Sequence, residues 1–395
     1  MAQREVVVMS GVRTAIGDFG GSLKDVPPTR LGAVAIKEAV ARAKIDAATV
    51  GHVVLGSVIH GEARDMYISR VAAIEAGLPV GTPCLTVNRL CGSGLQAIVS
   101  AAQHILLGDT DVAIGAGAES MSRAAYFLPT ARWGQRMGDA QVIDAMTGAL
   151  HDPFGGGHMG VTAENIAAKY GITREEQDAF SLESHRRAAK ALDAGIFKSQ
   201  VVPVEVKSRK GPAQFDTDEH VRKDITIADL QKLKAVFKKE GGTVTAGNAS
   251  GINDAAAAVV LMEKSAAQKA GAKPLARLVA YAHAGVEPQL MGLGPIPAVK
   301  RVFEKAGLKP ADMDVIESNE AFAVQAMAVT RDLGLDPAKV NPNGGAVALG
   351  HPIGATGCIL TVKAIYELHR TQKRYALVTM CIGGGQGIAA IFERM

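Results

Sequence analysis

An α/β protein built from two related halves is the fold class this sequence predicts, and three observations predict it. Nearly half of the 395 residues are hydrophobic, 44 are glycine and only 4% are aromatic. That profile suits small-residue helices packed closely on parallel sheet. Second, a stretch near the start and one near the end share a plan at a constant offset of 263 residues. Third, apolar strand patterns in both halves run into glycine-rich turns, the signature of repeated βαβ units.

Taken in order, MAQREVVVMSGVRTAIG goes straight into a strand pattern, with no cleavable signal or transit peptide. IDAATVGHVVLG, residues 45–56, leads into a second strand. LKPADMDVIESN, residues 308–319, does the same, and the offset matches Ile45 with Leu308 and Gly56 with Asn319. Cys84-Leu85-Thr86-Val87 reads as a short buried strand. Leu95, Ile98, Val99 and Ala102 then recur at helical spacing, so a helix opens near Gly92. Each half contains Val-Asn before a glycine-rich turn, VNRLCGSG at 87 and VNPNGGAVALGHPIGATG at 340. Each then has an apolar strand ending in glycine, DVAIGAGAES at 111 and YALVTMCIGGGQG at 375.

Between the halves, residues 121–251 differ in kind. Trp, Arg, His, Met and charged residues gather there, and Thr173 to Glu176 has the pattern of a helix capping box. An insertion of this size suits binding or assembly. VTAGNASGINDAAAAVVLM, residues 244–262, returns to core composition. The predicted organisation is an N-terminal domain of residues 1–120 plus 252–273, an inserted loop domain of 121–251, and a C-terminal domain of 274–395.

A net charge of +4 is too mild and dispersed for nucleic acid or a membrane surface, though it suits a phosphate-bearing substrate. Four cysteines, at 84, 91, 358 and 381, make neither a disulfide framework nor a CxxC metal pair. The apolar run AAAAVVLM is far short of a membrane span. A reducing cytoplasm is the expected home, with no metal and no membrane or nucleic-acid partner.

Cys91 raises the functional question. It sits where a strand turns into a helix, and free N–H groups and the positive helix dipole there favour a thiolate. Gly92 and Gly94 leave room beside it for a ligand. Three readings compete: a structural cysteine, a dinucleotide fingerprint in GSGLQA, and a nucleophile. The fingerprint lacks its ribose-binding carboxylate, since Asp109 and Asp111 precede the next strand rather than follow it.

Partners for a nucleophile lie at strand ends of the second half. Asn319 follows DVIES, His351 sits between Gly350 and Pro352, and Cys381 precedes three glycines. Singly, these read as a helix cap, a solvated histidine and a core cysteine. Together they supply a base for Cys91, a second acid or base, and oxyanion donors contributing roughly 3 to 4 kcal/mol each when well placed.

VNRLCGSGLQAI, NEAFA, GGAVALGHPIGATG and CIGGGQG together resemble the four reactive segments of the thiolase family, in family order and essentially end to end. The resemblance implies the thiolase fold, two duplicated βαβ-type domains in a layered αβαβα arrangement with an inserted loop domain. It implies a reversible ping-pong Claisen condensation. Cys91 would carry the acyl group, His351 would activate it, Cys381 would take the α-proton, and Asn319 would hold a water beside the enolate. The N–H groups of Cys91 and Gly383 would hold the tetrahedral oxyanion. GGGHMGVTAEN resembles the substrate-pocket loop, placing His158 and Met159 near pantetheine, as in short-chain biosynthetic members. Ser250, Ala321 and Phe322 would contact pantetheine and Arg222 the CoA nucleotide, whereas Asp229 stands where biosynthetic relatives often have serine.

Coenzyme A thioesters are therefore the expected substrates, acetyl-CoA and short acyl-CoA, with no tightly bound cofactor. The resemblance is strongest to broad short-chain β-ketothiolases that supply polyhydroxyalkanoate synthesis. The segment around MSRAAYFLPTARWGQRMG resembles the family's contact region, implying a homotetramer. The alternatives are a degradative 3-ketoacyl-CoA thiolase of fatty-acid oxidation and a thiolase fold that binds acyl-CoA without turnover.

Overall fold

Alanine, glycine and valine dominate the middle strands, and their small side chains let helices lie close on both faces of the sheet. The structure, a computed structural model, describes residues 4–208 and 211–395. Its first half contributes β1 (Val6–Arg13), β2 (His52–Gly56), β3 (Cys84–Val87), β4 (Val112–Ser120) and β5 (Asn253–Glu263). The second contributes β6 (Ala276–Gly285), β7 (Val315–Ser318), β8 (Tyr375–Ile382) and β9 (Gln386–Arg394). Across the sheet the order is β7-β8-β9-β6-β1-β5-β4-β2-β3.

The two halves repeat one topology. β3, β2 and β4 are parallel, and β5 and β1 continue antiparallel. Likewise β7 and β8 are parallel, and β9 and β6 continue antiparallel. A parallel bridge from Ile316 to Val340 stands in for the β2–β3 pairing. Even the register repeats: His52 faces Ala113 and Val315 faces Ala376, partners related by the offset seen in the sequence. Two residue pairs, Val7 with Arg277 and Val8 with Ala276, join the halves.

Helices complete the layers. α1 (Pro28–Ala43) and α2 (Ile68–Glu75) cover the outer face of the first half. α3 (Ser93–Leu107) packs between the halves, and α4 (Met159–Tyr170) and α5 (Arg174–Asp193) belong to the inserted segment. α6 (Pro295–Ala306) covers β6 and β9, and α7 (Ala323–Asp332) packs on α4 and α5. α8 (Thr356–Thr371) lies in the middle against α3. The result is helix, sheet, helix, sheet, helix.

The α3–α8 contact is backbone on backbone. A Cβ at Gly94 would lie 2.8 Å from the Cys358 nitrogen, and one at Gly357 would lie 2.1 Å from the Leu95 nitrogen. Gly92 is equally occupied, because a Cβ there would meet Ile382 at 2.6 Å. Gly92 and Gly94 thus admit protein and not ligand, which corrects their reading from sequence. A second correction concerns Cys84–Val87. It is a sheet edge, with Leu85 42% exposed, because among the described residues no strand pairs beyond it.

The inserted segment docks on the second half. Ser184 on α5 donates to Glu320 at 2.7 Å, and Arg187 donates to the Val340 carbonyl at 2.7 Å. Its capping box is present: the Thr173 hydroxyl accepts from Glu176 N and the Glu176 carboxylate accepts from Thr173 N. After the insertion, the chain returns as β5 between β1 and β4. The apolar stretch 90–107 has the length and hydropathy of a membrane span, yet most of it is buried as a core helix.

Lys363 on α8 is buried against Glu317 on β7, with Nζ to Oε2 2.8 Å and a second bond to the Gly344 carbonyl of 2.7 Å. Burial nevertheless pushes the Glu317 carboxyl up to about 7. Lys363→Met, which leaves that carboxylate unpaired, is expected to cost about 3 to 5 kcal/mol of stability. Adding Glu317→Leu should recover most of the loss in chemical denaturation.

Candidate active site

Four connections at the carboxyl ends of the parallel strands and at the β8–β9 turn bring the predicted reactive residues to one place. The β3–α3 connection carries Cys91. Its preceding residue, Leu90, has φ of +45°, a conformation that a branched side chain rarely adopts. Ser93 holds it there: its hydroxyl accepts from Arg89 N at 2.8 Å and donates to the Leu90 carbonyl at 2.7 Å. β7 leads to Asn319, the chain after Val340 leads through His351 to α8, and β8 carries Cys381 at its end, with Gly383 in the following turn.

Cys91, His351 and Gly383 line a mostly apolar cavity of about 320 Å³. His158, Met159, Ser250, Ala321 and Phe322 line it too. Asn319 and Cys381 stand behind this lining. Asn319 Nδ2 is 3.4 Å from His351 Nε2, and Cys381 lies near enough to Cys91 that a thiolate at one would disfavour a thiolate at the other. Arg222 is outside the cavity and exposed, with its backbone N–H bonded to His185 Nδ1. Asp229 completes a capping box with Thr226, accepting from its backbone N–H at 3.2 Å.

The hydrogen bonds assign the His351 tautomer. Thr356 Oγ1 donates to the Pro352 carbonyl at 2.9 Å, so at 2.7 Å from His351 Nδ1 it accepts, and Nδ1 carries the proton. Nε2 is then a lone-pair acceptor. The His351 N–H donates to Asn253 Oδ1 at 2.9 Å, which fixes the loop from its other side. The side-chain oxygen of Asn319 is buried with no hydrogen-bond partner among the described residues, suited to a water or a substrate oxygen.

Burial sets the charges. The Cys91 thiol is pushed up to about 11 by desolvation, against the N–H groups of Gly383 and Cys91, which favour the thiolate. The helix start favours a thiolate, but a dipole effect of about 1 kcal/mol is smaller than the cost of burying the charge. Burial likewise pulls His351 down to about 4 and pushes Cys381 up, with the nearby Cys91 adding to that rise. The resting pair is thiol and neutral imidazole.

The cavity also rests on residues that carried no sequence signal. Phe237 stacks on His158 with centroids 4.6 Å apart, and it lies in a charged stretch of the insertion. His158 itself caps α4, accepting from Gly160 N at 3.0 Å. The turn bearing Ser250 is bonded to the NEAFA segment, with Ser250 N to the Ala321 carbonyl 3.0 Å and Ala323 N to the Asn248 carbonyl 2.8 Å. Thr356, five residues past His351 in GHPIGATG, is a support close in sequence to the residue that it holds.

Two family profiles match the chain, "Thiolase, N-terminal domain" over residues 6–265 and "Thiolase, C-terminal domain" over 272–394. Beta-ketothiolase BktB of Cupriavidus necator is 69% identical over 392 residues, covering 99% of this chain and 100% of the relative. Acetyl-CoA acetyltransferase of Syntrophomonas wolfei is 50% identical over 397 residues, covering 99% and 100%. The crystal structure of human mitochondrial 3-ketoacyl-CoA thiolase superposes with a TM-score of 0.97 at 44% identity, covering 100% of both chains. The same human enzyme in complex with CoA gives 0.96, covering 100% of this chain and 98% of that one. Two matched domains in series, relatives of the same length and a cavity where the two halves meet at their reactive loops have one explanation: the chain belongs to the thiolase family.

Proposed function

We propose that this thiolase joins acetyl-CoA to acetyl-CoA or a short acyl-CoA, and cleaves the resulting 3-ketoacyl-CoA with CoA, through Cys91, His351, Cys381 and Asn319. The carrying observation is His351: its unprotonated Nε2 sits beside Asn319, in a cavity that it shares with Cys91. His351 takes the Cys91 proton as the sulfur attacks the thioester carbonyl. The tetrahedral oxyanion accepts from the Cys91 and Gly383 N–H groups. CoA thiolate leaves with the proton of Cys381, and the acyl group stays on Cys91.

Cys381, now a thiolate, removes an α-proton from a second acetyl-CoA. The enolate oxygen is stabilised by protonated His351 and by a water held on Asn319. The carbanion attacks the acyl carbonyl, the Cys91–carbon bond breaks, and His351 returns its proton to Cys91. Every proton is restored. Raising both thiols and lowering the histidine fits this cycle, because the charged pair then forms with substrate present and water excluded.

His158, Met159, Ser250, Ala321 and Phe322 would hold pantetheine along the cavity, with Arg222 at its outer, nucleotide end. The division into 1–120 plus 252–273, 121–251 and 274–395 assigns the nucleophile to the first domain, CoA and subunit contacts to the insertion, and the remaining catalytic groups to the last. A homotetramer is supported by the exposed apolar side chains Tyr126, Phe127, Trp133 and Met137 in the insertion, Met137 being 93% exposed. A reducing cytoplasm suits the free cysteines Cys91 and Cys381. The likeness to BktB favours the broad short-chain subtype and a supply of acetoacetyl-CoA or 3-ketovaleryl-CoA to polyhydroxyalkanoate synthesis.

The deciding experiment is CoA-dependent cleavage of acetoacetyl-CoA and 3-ketovaleryl-CoA side by side. Both should be cleaved, and Cys91→Ser should lower kcat by at least about a thousandfold while retaining the fold. Activity on acetoacetyl-CoA alone would narrow the enzyme to an acetyl-CoA acetyltransferase. For Cys381→Ala, acylation of Cys91 should persist while α-proton exchange of acetyl-CoA collapses; retained exchange would remove Cys381 as the base. In substrate-free enzyme, Cys91 alkylation by iodoacetamide should keep rising with pH beyond the ~8.5 of a free thiol. A plateau at or below that pH would contradict a thiol held up by burial.

A further inference from the structure

Glu119 is fully buried near the end of β4, and among the described residues no cation pairs with it. Its carboxylate instead collects three backbone donors from two loops. Oε2 accepts from Val58 N at 3.1 Å and Gly354 N at 2.8 Å, and Oε1 accepts from Ile59 N at 3.1 Å. Val58 and Ile59 belong to the segment after β2, in the first half. Gly354 lies between His351 and Thr356, in the turn that carries the catalytic base.

One carboxylate therefore ties the His351 turn of the second half to a loop of the first. The fit leaves no slack. A Cβ at Gly354 would lie 2.6 Å from Glu119 Oε2 and 2.9 Å from Ser57 Cα, and one at Gly117 would lie 2.4 Å from the Gly354 carbonyl oxygen. Ile59 and Ile353, beside two of the three donors, pack with Met121 and Ala145 in a small cluster that also touches Cys91. Burial pushes the Glu119 carboxyl up to about 8 against these three N–H groups, with the nearby buried Asp254 adding to the rise, and once ionised Glu119 opposes a thiolate at Cys91. A protein that needed only a filled space here had apolar side chains available, as at Ile382, which the repeat places opposite Glu119 in the second half.

We infer that Glu119 is a positioning residue for the condensation: its bond from Gly354 N, braced by those from Val58 and Ile59, holds the His351 turn at a set distance from Cys91. It touches no reacting atom. This role rests on the assignment of Cys91 and His351 as nucleophile and base, and it goes beyond that assignment by naming what holds the two halves' contributions in register.

The test uses the full-length enzyme carrying Glu119→Gln, which keeps the volume but presents an amide to donors that need two acceptor oxygens. Thiolysis of acetoacetyl-CoA should fall about a hundredfold in kcat, with KM for CoA within about twofold, as expected when reacting groups are misplaced and the binding surface is intact. The pH profile of Cys91 alkylation should shift to lower pH, because the opposing charge is gone. Glu119→Asp keeps the charge with a shorter reach. It should lose kcat similarly while leaving the alkylation profile in place, and it carries the test if the glutamine variant does not fold. A kcat within about threefold of the parent in either folded variant would overturn the proposal, as would an unshifted alkylation profile in folded Glu119→Gln. Parent enzyme and Cys91→Ser measured alongside keep the two readings apart: if the parent cleaves and Cys91→Ser does not, retained activity in Glu119→Gln defeats the positioning role alone.

Discussion

The backbone contact between α3 and α8 is the constraint on which the rest depends. Cys91 enters α3 and His351 lies just before α8, so the spacing of those helices sets how near the proposed nucleophile of one half comes to the proposed base of the other. Gly94 and Gly357 let the helix backbones touch, and Cys358 Sγ lies 3.1 Å from the Gly94 carbonyl oxygen. An added methyl on either glycine would force the helices apart. Because packed interiors do not compress, that displacement would pass directly to the reactive loops. The duplicated fold thus presents two loops from separate halves to one cavity, and glycine is what allows the approach.

The cavity's chemistry follows from what surrounds it. Leu150, Met159, Met291, Phe322 and Ile353 form an apolar wall, and few polar groups face inward. In such surroundings a thiolate–imidazolium pair is costly without substrate, so the resting enzyme keeps Cys91 and His351 neutral. Hydrogen bonds then do the orienting. Thr356 and Asn253 hold His351 from two sides, and Asn319 faces its basic nitrogen. The charge that appears during reaction meets donors already in place, which is how a low-dielectric site accelerates acyl transfer.

The inserted segment turns this centre into a pocket. It closes over the second half through Ser184 and Arg187, and it places His158, Phe237 and Ser250 around the entrance to Cys91. Asn248 joins the parts, donating to Asp178 on α5 at 3.0 Å, while its carbonyl accepts from Ala323 at the start of α7. Buried carboxylates recur as clamps: Glu320 accepts from the Ser184 hydroxyl, the Asn341 amide and Val347 N, and Glu164 accepts from Thr243 N and Val244 N. In each case one acidic side chain satisfies donors that a loop would otherwise leave unpaired inside the protein.

Local chemistry made much of this readable along the chain. The 263-residue offset survives as matching strand registers, the helix after Gly92 begins where its apolar spacing begins, and the Thr173 capping box forms from residues three apart. The four segments that carry the thiolase resemblance are each continuous, so their residue types and order single out Cys91, Asn319, His351 and Cys381 as the proposed reactive residues. Other features depend on segments far apart in sequence. Cys84–Val87 has the composition of a buried strand but lies at an edge, since neighbours across a sheet are set by topology. Gly92 and Gly94 stand beside Cys91 yet the space at them is filled by α8 and β8, and burial outweighs the local N–H groups in setting the ionisation of Cys91. Phe237 joins the cavity from a charged stretch, and Glu119 finds its partners 60 and 235 residues away. Sequence by itself determined the repeating elements and the candidates for the reactive groups, because spacing and residue type are local properties. Tertiary structure alone decided their charge, their spacing and their supports, because desolvation and close packing exist only once the halves are joined.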